Sequence, residues 1–484
     1  MKKYIYMAVA AIAALSSCTK EEDNNASLND SNAFYATIED GSTRTTLGTG
    51  DDANKVLWSE SDKISINGEE YTLKSGTGTT NATFEGPEGL TSPFNAYYPA
   101  SLYNGGTPTL PATQTYEAGK INNLPMYAQS TTHDLKFKNL CGVLAITVPQ
   151  SEMTTVSSIT VYADKQLNGA ISVDYNSGDP TVTFSPAQTA DEYKKVTLTF
   201  ASAKTISTSE TFYIAIPAQT YSTLDIVVAG EIAVTDGTVT AKLLASKAAS
   251  MVVNRNNIYS ITFSGATAIR GTTAVSSTAG RSGNTCGWVQ LWNGGPKFAE
   301  FNVGATISDY ANATVYNTAN VGGLYRWCAT VPNNMRDNSS ASDDHSTSYN
   351  ISTNDTSKKL WGDSWLMPEK AQLEALNSTE NCDWSYCDGE TSLYASGCTL
   401  KGWKVSGKAG TVYASNNIFL PLAGYTWSGN GSTSQTGVAG YYWSTALDGS
   451  DNAYRLDINN ENKHTVDSYY ITEAFSVRPV LKEN

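Results

Sequence analysis

Val196-Thr197-Leu198-Thr199-Phe200 alternates apolar and hydroxyl-bearing side chains with a period of two. Successive side chains of a strand point to opposite faces, so this spelling buries one face and leaves the threonines on the other. Tyr259-Ser260-Ile261-Thr262-Phe263, Leu135-Lys136-Phe137-Lys138 and Ile64-Ser65-Ile66 repeat the pattern. From residue 34 to about 265 such runs are broken by Gly, Asn, Asp and Pro clusters, and no amphipathic helix interrupts them. The chain therefore predicts a mainly β protein whose antiparallel strands form two tandem β-sandwiches, 34–150 and 151–265, divided near Pro149-Gln150-Ser151-Glu152.

Composition then marks a third part. Nine of the ten tryptophans fall between Trp288 and Trp443, and only Trp58 lies outside that window. Residues 266–284 are rich in Gly, Ala, Ser and Thr and predict a linker into a domain spanning 285–484. In that domain Pro368 suits the first turn of a short helix with Leu373 and Leu376 on one face. Short strands joined by long polar loops make up the rest, an α+β arrangement. Acidic residues outnumber basic ones by 46 to 32, and no basic cluster follows Lys3. That balance argues against nucleic acid as a partner, because a phosphate-binding surface needs clustered Lys and Arg.

The chain opens Met1-Lys2-Lys3, continues through an apolar run over 4–15, and reaches Leu15-Ser16-Ser17-Cys18. A basic start, a short apolar core and small residues predict a secretory signal over 1–17, too short for a permanent membrane span. Leu-Ser-Ser-Cys resembles the lipobox of bacterial lipoproteins. The resemblance implies cleavage before Cys18, acylation of its thiol and new amino group, and anchorage in outer-membrane lipid; the alternative is an ordinary secretory signal that carries a Cys. Residues 18–33 form an acidic tether. Its start, Thr19-Lys20-Glu21-Glu22-Asp23, resembles the export tag of surface-exposed lipoproteins, with periplasmic retention as the alternative.

Several segments of the first two units recur in a known order. They are Thr43-Arg44-Thr45, Trp58-Ser59-Glu60-Ser61-Asp62-Lys63-Ile64, Phe94-Asn95-Ala96-Tyr97-Tyr98-Pro99 and Phe212-Tyr213-Ile214-Ala215-Ile216-Pro217. Over about 230 residues this order resembles the fimbrillin family of pilus-type surface lipoproteins. The resemblance implies structural and adhesive roles, other fimbrial subunits as partners, and processing after a basic residue, for which Arg44 stands in a suitable place. An exposed Arg in a turn is the alternative.

The third domain carries Phe298-Ala299-Glu300-Phe301-Asn302-Val303-Gly304, Gly322-Gly323-Leu324-Tyr325-Arg326-Trp327, Trp365-Leu366-Met367-Pro368-Glu369 and Gly440-Tyr441-Tyr442-Trp443-Ser444. Across 286–482 this set resembles the major-paralogous-domain family, which implies a C-type-lectin-like fold. Two departures stand out: Leu366-Met367-Pro368-Glu369 replaces the usual Arg-Leu-Pro-Thr, and a segment holding Cys387 and Cys398 is inserted. The calcium-lectin motifs Glu-Pro-Asn and Trp-Asn-Asp are absent, which puts calcium-dependent sugar binding in doubt.

No Gly-x-Ser-x-Gly elbow, His-Glu-x-x-His helix or phosphate loop occurs, so no catalytic residue, metal site or cofactor is expected. The seven cysteines show no Cys-x2-Cys spacing. Cys387 and Cys398 are expected either to form a disulfide, which export permits, or to stay free thiols. Recognition is expected instead in polar loops of the third domain, where rigid rings stand among small polar residues. The candidates are Tyr425, Trp427 and Asn430 in one loop, Asp448, Asp451 and Asn452 in a second, and His464, Tyr469 and Tyr470 in a third. Tryptophans inside the quoted motifs are expected in the core. The expectation as a whole is a lipid-anchored surface adhesin, a fimbrial tip or accessory subunit whose C-terminal head binds a protein or glycan. A stand-alone surface lipoprotein with a structural or nutrient-capture role is the alternative, and an enzyme on the lectin-like fold a third.

Overall fold

The computed structural model describes residues 32–483 apart from 40–56, 104–105, 119–120, 122–123, 176–177, 235–236, 248–249, 277–283, 308, 311–312, 331, 333–350, 390–397, 428–432 and 462–463. Cys18 and Arg44 thus lie outside the described residues. The fold is mainly β, as the alternation implies. No described helix is long and apolar enough to cross a membrane.

The first unit is one sheet of seven strands closed on itself. Closure depends on Ala33–Ile38, which pairs antiparallel with Asn81–Glu85 on one edge and parallel with Asp134–Asn139 on the other. Inward positions alternate along each strand, so Leu135 and Phe137 are fully buried between exposed or half-buried polar neighbours. Trp58 fills the middle, its indole edge-on to Phe84, Tyr98 and Phe137 at 5.0–5.6 Å between centroids.

The second unit stacks two sheets. Cys141–Pro149 pairs with Ser209–Pro217 and with Ile258–Thr262, and Leu144, Ile146 and Val148 pack on Ile159, Val161, Ile226 and Val228 of the facing sheet. By this pairing the second unit begins at Cys141, ahead of the expected division after Pro149. The units also interlock, since Thr113–Thr115 pairs with Lys195–Thr205. The buried Gln114 amide mimics a strand there, donating to the Ala215 carbonyl at 2.8 Å and accepting its N–H at 3.0 Å.

The linker expected over 266–284 is replaced, over Thr267–Ala274, by a strand. Its first half pairs with Gly237–Lys247 of the second unit and its second half with Thr285–Gln290 of the head. Arg270 stands at the crossing, opposite Lys242 on one edge and Val289 on the other. A register shift beside Arg270 turns Ile269 inward, where it packs with Val227 of the second unit and Val412 and Tyr413 of the head. One ten-stranded sheet therefore runs through both units. The small residues that suggest a flexible linker have a packing cause: a Cβ on Gly271 would stand 2.7 Å from Cζ2 of Trp288.

The head holds four small sheets or sheet segments around two apolar clusters. Trp327, Trp361, Trp365, Trp403 and Trp443 are all buried. Four of these indole N–H groups reach distant carbonyls: Trp327 to Ser444, Trp365 to Ala274, Trp403 to Asn459 and Trp443 to Tyr325, at 2.8–2.9 Å. Lys370–Leu376 forms the expected helix with Leu373 and Leu376 buried, and Pro368 precedes its cap, Glu369. Cys387 and Cys398 are buried free thiols, the second of the two states expected for them. Burial pushes the Cys387 thiol up to about 11, and its S–H points to the Ser385 carbonyl.

Gly271→Ala is expected to lower stability by about 1–3 kcal/mol through overpacking against Trp288, read as a lower midpoint in denaturant unfolding.

Candidate binding site

Three antiparallel strands, Ala439–Asp448, Asn452–Asn459 and His464–Tyr470, build the site. Residues two apart share a face, so Arg455 and Asp457 project together from the middle strand. Arg455 donates from Nε to Asp457 Oδ1 at 2.5 Å and from Nη2 to Oδ2 at 3.0 Å. This two-pronged pair fixes the guanidinium plane, and only 8% of the arginine side chain is exposed. Three rings enclose it: the guanidinium carbon lies 4.3 Å from the Tyr441 centroid, 4.2 Å from Tyr469 and 4.3 Å from Phe475.

Above the guanidinium is a pocket of about 140 Å³ lined by Tyr425, Gln435, Tyr441, Arg455, Tyr469 and Phe475. Tyr425 meets Tyr441 edge-on at 5.6 Å and Trp427 at 5.4 Å. Tyr441 donates to Gln435 Oε1 at 2.6 Å. Burial raises the Tyr441 phenol above its ordinary range, although the Arg455 charge opposes the shift, so the phenol keeps its proton and remains a donor. On the far side Tyr469 packs against Tyr470. Trp427 is 48% exposed and Tyr470 57%, so the pocket is flanked by two open aromatic surfaces.

The structure thus brings four of the expected residues together: Tyr425, Trp427, Tyr469 and Tyr470. Asp448 and Asn452 sit beside Tyr470 at the hairpin end. Asn452 pairs with both Asp448 and Tyr470, and Asp448 accepts a hydrogen bond from Ser468 Oγ at 2.5 Å. Asp451 receives the Ile471 N–H on its carbonyl, tying the hairpin tip to the strand that follows Tyr470. Asn430 lies outside the described residues. His464 does not join the group. It opens the same strand whose last residue is Tyr470, so the two ends stand about 20 Å apart at strand rise. There it stacks on Trp384 with centroids 4.4 Å apart, and its Nδ1 bonds Asn377 Oδ1. It is a packed residue, where a loop residue was expected. Arg455 and Gln435 were missed. A signal for Arg455 was present in the spacing Arg455-Leu456-Asp457, which places opposite charges on one strand face.

Among the described residues no group of three His, Cys, Asp or Glu could hold a metal ion. What the pocket offers is ring faces and hydrogen-bond donors, the chemistry of recognition.

No family model matches the chain, and no curated protein matches it either. Similar solved structures include a candidate cell adhesion protein from Bacteroides ovatus, 17% identical over 49% of this chain and 94% of that one, with a TM-score of 0.29. One from Bacteroides uniformis is 18% identical over 49% and 94%, with a TM-score of 0.28. One from Bacteroides thetaiotaomicron is 14% identical over 48% and 92%, with a TM-score of 0.22.

Arg455→Met removes the cation from the cage and breaks the two-pronged pair with Asp457, whose side chain is only 19% exposed. The expected cost is about 3 kcal/mol, measured by denaturant unfolding. Burial also holds the His464 pKa below its ordinary 6.5. The unfolded chain then binds the proton first, so this group's contribution is present above pH 6.5 and is lost as pH falls through the lower folded value. Melting curves between pH 7.5 and 5 should therefore show a smaller acid-induced loss in His464→Phe, which keeps the stack on Trp384.

Proposed function

We propose that this chain is a non-enzymatic adhesin of the cell surface that binds its ligand in the Arg455 pocket of the head. The observation that carries the proposal is a buried, charge-paired guanidinium caged by three rings and flanked by two exposed aromatics, Trp427 and Tyr470. Large rings left open beside a pocket cost stability in water and are offset when a partner covers them. Rings also bring contact area with few rotatable bonds, so little entropy is lost on binding. In this proposal Cys18 carries the lipid anchor, the first two units act as a stalk, and the shared sheet through Thr267–Ala274 holds the pocket at a fixed angle to that stalk. Membership of a pilus, as a tip or accessory subunit, belongs to the same proposal.

The test is binding of the purified full chain to immobilised host-matrix proteins and glycans. Trp427→Ala and Tyr470→Ala should each weaken binding by about tenfold or more, the loss typical of an aromatic anchor. Their melting temperatures should match the parent because both side chains are exposed. Saturable binding unchanged in both variants would place the ligand elsewhere.

A further inference from the structure

We infer that the head pairs with a second copy of this chain, edge to edge, through the strand Cys382–Cys387. The inference goes beyond the proposed function and does not rest on the Arg455 pocket.

The strand is the outer member of a three-stranded sheet. It pairs with Gly402–Gly407, which pairs in turn with Asn417–Pro421, and among the described residues no strand lies on its other side. In an antiparallel ladder alternate residues bond inward, and the rest turn their backbone groups to the free edge. The Lys408 N–H donates to the Asn381 carbonyl one rung before the strand, which sets the phase. Asp383, Ser385 and Cys387 therefore bond inward, and Cys382, Trp384 and Tyr386 face out. The Cys382 N–H is taken by the Ser378 carbonyl. The backbone N–H and C=O groups of Trp384 and Tyr386 have no partner among the described residues.

Such a row accepts another strand unless a charge, a proline or a bulge guards it. The head also holds a guarded edge, His464–Tyr470. There Asp467 accepts the Ser468 N–H at 2.8 Å, and a two-fold pairing centred on it would set Asp467 against itself. Cys382–Cys387 has no such device. Its register is unbroken and it contains no proline. Its one charged residue, Asp383, is held within the chain by Lys408 and the Ala409 N–H. Its exposed residue is Ser385, uncharged and near the middle.

Register and side chains select the occupant. A two-fold axis at Ser385 sets Trp384 against Tyr386 of the second copy, and Tyr386 against Trp384 of the second copy. These are the residues whose backbone groups face out, so each opposed pair exchanges both of its hydrogen bonds. Both rings lie on the face that packs on Trp403, so an indole meets a phenol ring on each side of the axis. Asp383 falls opposite Cys387, and no charge meets its like. Any extended strand would answer the backbone groups; a second copy also supplies both halves of each aromatic pair, the self-complementarity of a two-fold interface.

The experiment follows the full chain carrying Cys18→Ser, which keeps that thiol out of the reading, by sedimentation over a concentration series. A reversible monomer–dimer equilibrium is expected. Ser385→Cys should give a disulfide-linked dimer on mild oxidation, because the axis passes through a non-hydrogen-bonded pair with Cα atoms about 4.5 Å apart, within disulfide range. Ser207→Cys, exposed in the second unit, should stay monomeric under the same oxidation. Ser385→Lys and Ser385→Asp each set like charges face to face and should be monomeric throughout the series, with the fold intact by circular dichroism. Mixing those two variants should restore the dimer. A parent chain that stays monomeric, a dimer that persists in Ser385→Lys, or cross-linking of Ser385→Cys no faster than that of Ser207→Cys overturns the inference.

Discussion

The position of the head depends on one strand that is hydrogen-bonded to two units at once. Thr267–Ala274 offers its first rungs to the second unit and its last to the head, and Arg270 takes part in both. The bulge at Ile269 makes this possible, because the extra residue swings a branched side chain into the seam between Val227 and Val412. The Ile269 carbonyl is answered from the head, by Asn416 Nδ2, which also bonds the Gln290 carbonyl. Charge is tuned around the same point. Arg270 pairs with Glu300, while Lys242 across the ladder bonds Ser415 of the head. Burial, helped by the Arg270 charge, pulls the Lys242 ammonium down to about 8.

Beyond the seam, the head solves a different problem. Its strands are short and its loops long, so backbone ladders alone tie little of it together. Tryptophan does that tying. Each buried indole supplies area to the core, and the N–H groups of Trp327, Trp365, Trp403 and Trp443 are satisfied by carbonyls far along the chain. Trp443 shows how this reaches the site: it bonds the Tyr325 carbonyl and packs on Phe475, one of the three rings around Arg455. The cage is thus the outer layer of the core, and its geometry is set by the same residues that stabilise the head.

Much of the architecture was legible in the residues. Period-two alternation located the strands, the Trp window located the head, and Leu373 with Leu376 located its helix. Trp427 and Tyr469 were readable as candidates because they are rings among small polar residues, and the fold brings both to the Arg455 pocket, Tyr469 in its lining and Trp427 against Tyr425. What escaped had physical reasons. Thr267–Ala274 spells like a linker because small side chains are what a strand needs when an indole lies across it. His464 spells like a loop residue, and only the fold puts Trp384 and Trp403 against it. The Arg455 cage draws rings from three separate segments, and one-dimensional spacing shows only its Asp457 partner.

The first strand has a consequence for how the chain reaches this state. Ala33 meets His133 across a sequence separation of 100 residues, and the parallel rungs from Tyr35 to Ile38 exist only after Asp134–Asn139 has formed. Loop-closure entropy is lost before those rungs return anything, which slows folding steps of this kind. Until the sheet closes, Asn81–Glu85 and Asp134–Asn139 each present an unpaired edge, ready to accept any extended segment within reach. The time spent with those edges open is when a neighbouring chain, a chaperone or the protein's own first strand competes for the same row of hydrogen bonds.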